Sequence, residues 1–465
     1  MADRFRIALV SGKLGGVDGV SLEVNKWVRI LEEQGHEVST IAGRYASPLE
    51  EIPRERQLLC EDIRFDSPEQ RHYETMVFPY LSRRPPHLTE ERLREIVQEL
   101  ETQGREVANL LMEMIQEHRI DVLVGQNTNA MPMTLLGGLA MYRLATTERV
   151  ATIFHHHDFW WERSRFSNAR IENLLNRIMP PVDPGLEHVV ISSYAAHILS
   201  SLKRVRPHII PNCEDFQSPV LVDEYNGDFR QELGFRDEDI LIVQPTRIVP
   251  RKRIEDSVSL VGAFQKRYPE LADRVHYIIS LYQGDEPEEN YIDLIKERAE
   301  ELGVNLHLIA ERVASVRGKD AQGRKLYTNR DVLANADLVT YLPIWEGFGN
   351  ALLEAVAAKV PVVNTTYLVY KTDIMPTGLR NIEVRDRYDD HGSLVIEDRV
   401  LEEMHHLLTH PEERIERVER NFQIGRKEFG FDSLEERLTG VFAEYADEIR
   451  ASRRRIEKSL ARYSV

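Results

Sequence analysis

Glu346 and Glu354 stand eight positions apart in the stretch "YLPIWEGFGNALLEAVAAKVPVV", on either side of a Gly-Phe-Gly turn. An apolar strand is predicted before the turn, and an alanine-rich helix after it that begins near Gly349 or Asn350. That layout aims the backbone N–H groups of Phe348 and Gly349 at an anion, with the positive end of the helix dipole behind them. Glu346 precedes the helix and Glu354 lies one turn inside it, so they are not a surface pair of the i,i+4 kind. The plainer reading makes Glu346 a helix-terminus acid and Glu354 a solvated neighbour. Against it, Glu354 sits in the largely apolar "NALLEAVAAK", where an unpaired carboxylate is costly.

Cations that such a site needs occur in "QPTRIVPRKRIEDSV". Arg247 falls just past a predicted strand, and Lys252 follows five residues on, before a helix. Two cations at the carboxyl edge of a sheet suit a diphosphate, whose leaving oxygen gains charge during group transfer. The alternative is a solvated basic loop. A glycine loop, "GKLGGVDG", lies near the N-terminus. Its glycines let the backbone approach a ligand, and the next helix presents free N–H groups. It is not the dinucleotide fingerprint: the spacing is G-x-x-G-G-x-x-G, and the second strand ends in Ala42-Gly43-Arg44 instead of an acid. A tight turn with no ligand is the competing account.

The third stretch is "TIFHHHDFWWERSRF", at the end of another predicted strand. On an extended chain His155 and His157 share a face and His156 does not. No second ligand cluster of familiar spacing exists, so the sequence does not indicate a metal. Aromatic rings beside polar groups at a strand tip fit a sugar or acid site, with His156, Asp158 and Trp161 as the contacts. Arg163 and Arg165 can pair an anionic group on a substrate, or form ordinary surface ion pairs. With the basic loop at Arg83 and Arg84, they point to a small anionic acceptor.

These stretches sit on a repeating framework. "RIALV" leads into the glycine loop, then comes a helix with Val20, Val24, Trp27, Val28 and Leu31 on one face, then "EVSTIA". A charged helix from about Glu90 to His118 and the strands "DVLVG", "VATIF" and "HVVIS" continue the alternation, which predicts a doubly wound parallel sheet. An acidic, irregular stretch after Pro211-Asn212 reads as a linker, and strands from "DILIVQPTR" to "VPVVNT" restart the pattern. The expected division is 1–215, 216–435 and a helical segment 436–465, with Arg44 to Thr89 as loops. Ligands at the carboxyl ends of two such sheets imply a cleft between domains.

Composition limits the classes available. The chain has 465 residues, long enough for two domains, and a net charge of −17, which argues against a general nucleic-acid binder. Cys60 and Cys213 do not make a disulfide framework. Neither a signal-peptide apolar region nor a membrane-spanning run is present, so a soluble cytoplasmic protein is expected.

Taken together, the motifs resemble the retaining GT-B glycosyltransferases of family 4, the glycosyl transferases group 1. The E-x7-E pattern matches Glu346 to Glu354, and the Arg and Lys pair matches Arg247 and Lys252. "HVVISSYAA", "HIIPNCEDF" and "GKLGGVDGVSLEV" look like the segments before the linker and the acceptor-side glycine loop. The resemblance implies two Rossmann-like domains and a last helix that crosses back to the first. It implies that Arg247 and Lys252 neutralise a donor diphosphate and that Phe348, Gly349 and Asn350 lie against the donor. Glu354 would bind ribose hydroxyls, Glu346 the transferred sugar, and Gly15 and Gly16 would lie near the diphosphate and acceptor. His157 would touch the donor sugar, with His156 as the alternative. The implied reaction is front-side hexosyl transfer, from GDP-mannose or UDP-glucose to a small anionic sugar or glycerate-type acceptor. No cofactor beyond the nucleotide sugar is implied; a divalent metal is compatible with the sequence but not indicated by it. A disaccharide phosphorylase or a sugar-nucleotide epimerase of the same fold is the alternative.

Overall fold

The computed structural model of the chain describes residues 3–16, 18–81, 86–218, 220–282, 290–385 and 387–463. Arg83 and Arg84 lie outside the described residues. The chain forms two compact units, residues 1–211 with 434–465 and residues 212–433.

The first unit is built on a seven-stranded parallel sheet. Its strands are β1 (Arg6–Ser11), β2 (Glu37–Ala42), β3 (Gln57–Leu59), β4 (Val122–Gln126), β5 (Ala151–His156), β6 (Leu186–Val190) and β7 (His208–Ile209). Their order is β3-β2-β1-β4-β5-β6-β7. Central strands such as β4 and β5 are buried along their whole length, which is why they read as continuous apolar runs and not as alternation. The helix Gly19–Glu33 starts at Asp18, whose carboxylate accepts from the Ser21 N–H at 3.0 Å, and buries Val24, Trp27, Val28 and Leu31.

Arg44 to Thr89 is more ordered than loops. β3 adds to the sheet edge, and Pro68–Val77 is a helix whose Ser67 hydroxyl accepts from the Gln70 N–H at 3.1 Å. The signal was local: a serine N-cap followed by proline at the first helical position. The weak apolar period hid it, because the helix buries Gln70 together with Tyr73 and Val77. The Gln70 side chain donates to Pro132 O at 3.1 Å and accepts from the Leu135 N–H at 2.7 Å.

The last helix, Phe431–Tyr463, lies with the first unit from Leu434 onward. The Tyr445 hydroxyl accepts from the Thr152 N–H at 3.0 Å and donates to Gly185 O at 2.7 Å. The Ser452 hydroxyl accepts from the Ala151 N–H at 3.0 Å, and Arg453 donates to the buried Asp121 carboxylate at 2.6 Å. Two of these bonds give the Ala151 and Thr152 N–H groups, at the amino end of β5, their side-chain partners.

The second unit has a six-stranded parallel sheet. Its strands are β8 (Ile240–Gln244), β9 (Val275–Ile279), β10 (Leu306–Leu308), β13 (Leu338–Tyr341), β14 (Val362–Thr365) and β15 (Ile382–Val384), and β11 (Gly318–Lys319) with β12 (Lys325–Leu326) forms a small antiparallel ribbon. The order is β10-β9-β8-β13-β14-β15. In each unit the connections change direction across one strand pair, β1 and β4 in the first and β8 and β13 in the second. The carboxyl edge beside such a switch point is where doubly wound sheets bind ligands. The loops that carry the motifs leave these strands.

Candidate functional site

In the second unit, β8 gives way to a short turn at Pro250–Lys252, and Arg253 takes a left-handed φ of 48° to start the helix Ile254–Arg267. The loop after β13 is tied to this turn where the Ile344 N–H donates to Arg251 O at 3.1 Å. Lys252 therefore turns its ammonium into the same buried space as Glu346, and the two form an ion pair. Arg251 donates to the same carboxylate oxygen at 2.6 Å. Lys252 also lies 5.0 Å from the Tyr341 ring centroid.

The charges here are strongly perturbed. Burial alone would raise the Glu346 carboxyl, but the Arg251 guanidinium and the Lys252 ammonium hold it down at about 2. Burial, helped by Arg251 and Arg247, lowers Lys252 to about 8 against the pull of Glu346. Arg247 is only partly buried. Glu346 thus stands between the Arg251 and Lys252 cations, and Arg247 lies within electrostatic range of Lys252.

Behind it, Gly349 adopts φ 129° at the start of the helix Asn350–Ala357, where a Cβ would come within 2.3 Å of the Tyr367 hydroxyl. Tyr367 donates to Phe348 O at 2.7 Å and holds the turn down, while the Phe348 ring is buried. Asn350 accepts from the Asn212 side chain at 2.6 Å. Glu354 accepts from the Asn329 amide at 2.9 Å, and Asn329 in turn accepts from Ser280 at 2.7 Å. The structure thus brings Lys252 against Glu346 and places Arg247 within electrostatic reach. It places Glu354 one turn farther along the helix.

Sequence reasoning passed over Arg251 and Asn329. Arg251 was visible in "PRKR", but only the turn shows that it and Lys252 reach one oxygen. Asn329 carried no signal, because it lies on a different element from Glu354.

In the first unit, the loop after β1 carries Gly15 at φ 78° and Gly16 at φ 85°. A Cβ on Gly15 would meet Ser47 O at 2.2 Å, and the Gly16 N–H donates to the Ser47 hydroxyl at 3.1 Å. Lys13 stands 3.5 Å from Asp18. At the end of β5 the three histidines separate by face, as extended backbone requires. His156 is buried and its Nε2 meets His188 Nδ1 at 3.0 Å. His155 and His157 turn the other way and share Gln126, at 2.9 Å and 3.1 Å from its Oε1. Burial drives His157 down to about 4, although Asp158 and Asp18 pull the other way, so its ring is neutral at pH 7.

Asp158 accepts from Asn127 at 2.8 Å and from the Arg163 guanidinium at 3.0 Å. Trp161 stacks on Phe159 with ring centroids 4.6 Å apart. Arg165 lies 3.7 Å from Glu74 and over the Phe166 ring. Arg163 and Arg165 can meet a substrate anion only in competition with these acids. Burial pushes the neighbouring Glu162 up to about 7, against a hydrogen bond from the Phe159 N–H. Among the described residues no group of three or more histidines, cysteines or acids is placed to hold a metal ion. No helix among them is long and apolar enough to cross a membrane.

The sequence model of the family described as "Glycosyl transferases group 1" matches residues 226–372. The chain is 33% identical over 449 residues to mannosylglucosylglycerate synthase of Thermotoga maritima, covering 93% of this chain and 99% of that protein. It belongs to the glycosyl transferases group 1 family. This glycosyltransferase is also 30% identical to mannosylglucosylglycerate synthase of Petrotoga mobilis, over 81% of this chain and 86% of the other. Its fold matches that of HepE from Anabaena, solved in complex with UDP-glucose, with a TM-score of 0.60 at 14% identity. That match covers 95% of this chain and 100% of the other. The glycosyltransferase has the GT-B fold, a pair of Rossmann-like parallel sheets.

Proposed function

We propose that this glycosyltransferase moves a mannosyl group from GDP-mannose to a hydroxyl of glucosylglycerate, with retention at the anomeric carbon. The near-full-length relation to the Thermotoga maritima protein carries the choice of sugar and acceptor. Arg251 and Lys252 on Glu346, with Arg247 in electrostatic range of Lys252, support a diphosphate donor. Arg247, Arg251 and Lys252 neutralise the diphosphate, Glu354 takes the ribose hydroxyls, and Glu346 takes hydroxyls of the transferred sugar. Gly15 and Gly16 allow close approach of the backbone, and His157 contacts the sugar as a neutral imidazole. Trp161 offers a ring face to the acceptor, and Arg163 or Arg165 its carboxylate partner.

The reaction is a front-side displacement. The acceptor oxygen bonds to the sugar C1 as the bond from C1 to the β-phosphate oxygen breaks. The acceptor proton passes to that leaving oxygen, and GDP departs. Positioning and charge stabilisation provide the rate, without a protein nucleophile. No metal enters this account; the three cations supply the positive charge.

The test offers the purified protein GDP-mannose or UDP-glucose, each with glucosylglycerate, glycerate or no acceptor. Mannosylglucosylglycerate with an α-mannosyl linkage is expected from the first donor. Transfer from UDP-glucose alone, or onto glycerate but not glucosylglycerate, would overturn the substrate assignment. A β-linkage would overturn retention.

A further inference from the structure

The triple histidine leaves one question that the donor and acceptor contacts do not answer: why Gln126 lies between two of the rings. Gln126 ends β4 and is 1% exposed. Its Oε1 is 2.9 Å from His155 Nδ1 and 3.1 Å from His157 Nε2. A carboxamide oxygen can only accept, so both ring nitrogens must carry hydrogen. His155 is then the Nδ1–H tautomer and His157 the Nε2–H tautomer. Trp27, stacked on His155 at 4.4 Å, fixes that ring from the first helix. The backbone N–H of His157 donates to Asn127 Oδ1 at 3.0 Å and fixes the other.

We propose that Gln126 is a positioning residue that locks His157 in the Nε2–H tautomer, so that Nδ1 stays bare and accepts a hydrogen bond from a sugar hydroxyl. Neutrality of the ring is required, and the surroundings supply it. His155 and His156 flank His157, and Asp158 and Asp18 face it, each already paired with a cation, Arg163 and Lys13. A glutamine in place of an acid holds the ring without adding the charge that would protonate it. Two buried atoms, Gln126 Nε2 and His155 Nε2, have no hydrogen-bond partner, so the cluster is costly for stability alone. This inference rests on the reading of His157 as a substrate contact.

Imidazole nitrogen shifts of the wild-type protein test the lock directly. The expected result is Nε2–H for His157 and Nδ1–H for His155, with no histidine titration in this pair above about pH 5. A Nδ1–H or mixed tautomer at His157 overturns the proposal, and needs no variant to fold. Gln126→Leu should lower kcat/KM about tenfold, one hydrogen bond's worth, and release the His157 tautomer. Gln126→Glu keeps the acceptor but adds charge, so kcat/KM should gain a new ionisation between about pH 5 and 8. A Gln126→Glu profile identical to wild type, with His157→Ala inactive, refutes the lock and leaves the substrate contact standing. A fully active His157→Ala refutes both.

Discussion

The ammonium of Lys252 and the carboxylate of Glu346 form a buried ion pair between the turn after β8 and the loop after β13. Glu346 lies 94 residues on in the chain, and parallel pairing of β8 with β13 brings them together. Lys252→Ala should lower kcat by about two to three orders of magnitude, the usual loss when one stabiliser of a developing anion is removed. Steady-state kinetics beside a thermal melt would check it. Near-wild-type turnover would remove Lys252 from the diphosphate site.

Glu346 occupies as a counter-ion the charge that the diphosphate would otherwise use. Glu346→Gln should therefore bind GDP more tightly, by about tenfold, while turnover falls because the sugar loses a charged acceptor. Titration calorimetry with GDP reads the first effect and kcat the second. Weaker GDP binding in the variant would contradict the exchange of counter-ions.

The depressed Lys252 sets an alkaline limit. Its ammonium is charged below about pH 8 and neutral above, so kcat/KM should decline as pH rises through that value. A bound anion favours the charged form, so the decline in kcat should fall at higher pH. Coincident limbs in the two profiles would argue against contact between Lys252 and the donor.

Asn329 aims Glu354. Removing the amide by Asn329→Ala should weaken GDP binding about three- to tenfold and leave kcat at saturating donor nearly unchanged. Glu354→Ala should give the same pattern more strongly. If kcat falls and affinity stays, the ribose role of Glu354 is wrong.

Tyr445 serves stability. Tyr445→Phe leaves the Thr152 N–H and the Gly185 carbonyl without their partner, at a cost of about 1–3 kcal/mol. A lower melting temperature with unchanged kcat is expected, and an unchanged melt would show that other groups satisfy them.

How far the sequence can be read follows from the range of the interactions. Strands β4, β5, β8 and β13 were legible because parallel strands buried on both faces are runs of apolar residues, a local property. The motif loops were legible because glycines and charges cluster at strand ends. The helix Pro68–Val77 was not, since its inward face includes the polar Gln70, whose partners lie over 60 residues away. Likewise, alternation separated His156 from His155 and His157, but only the neighbouring strand supplied Gln126 as their common partner. Local residue types and spacing thus established the alternating architecture and named Arg247, Lys252, Glu346 and Glu354 as candidates. Strand order decided the rest: it put Arg251 and Lys252 on one oxygen of Glu346 and gave Glu354 its Asn329. Such contacts join distant segments, and their charges interact strongly only once burial has removed the water between them.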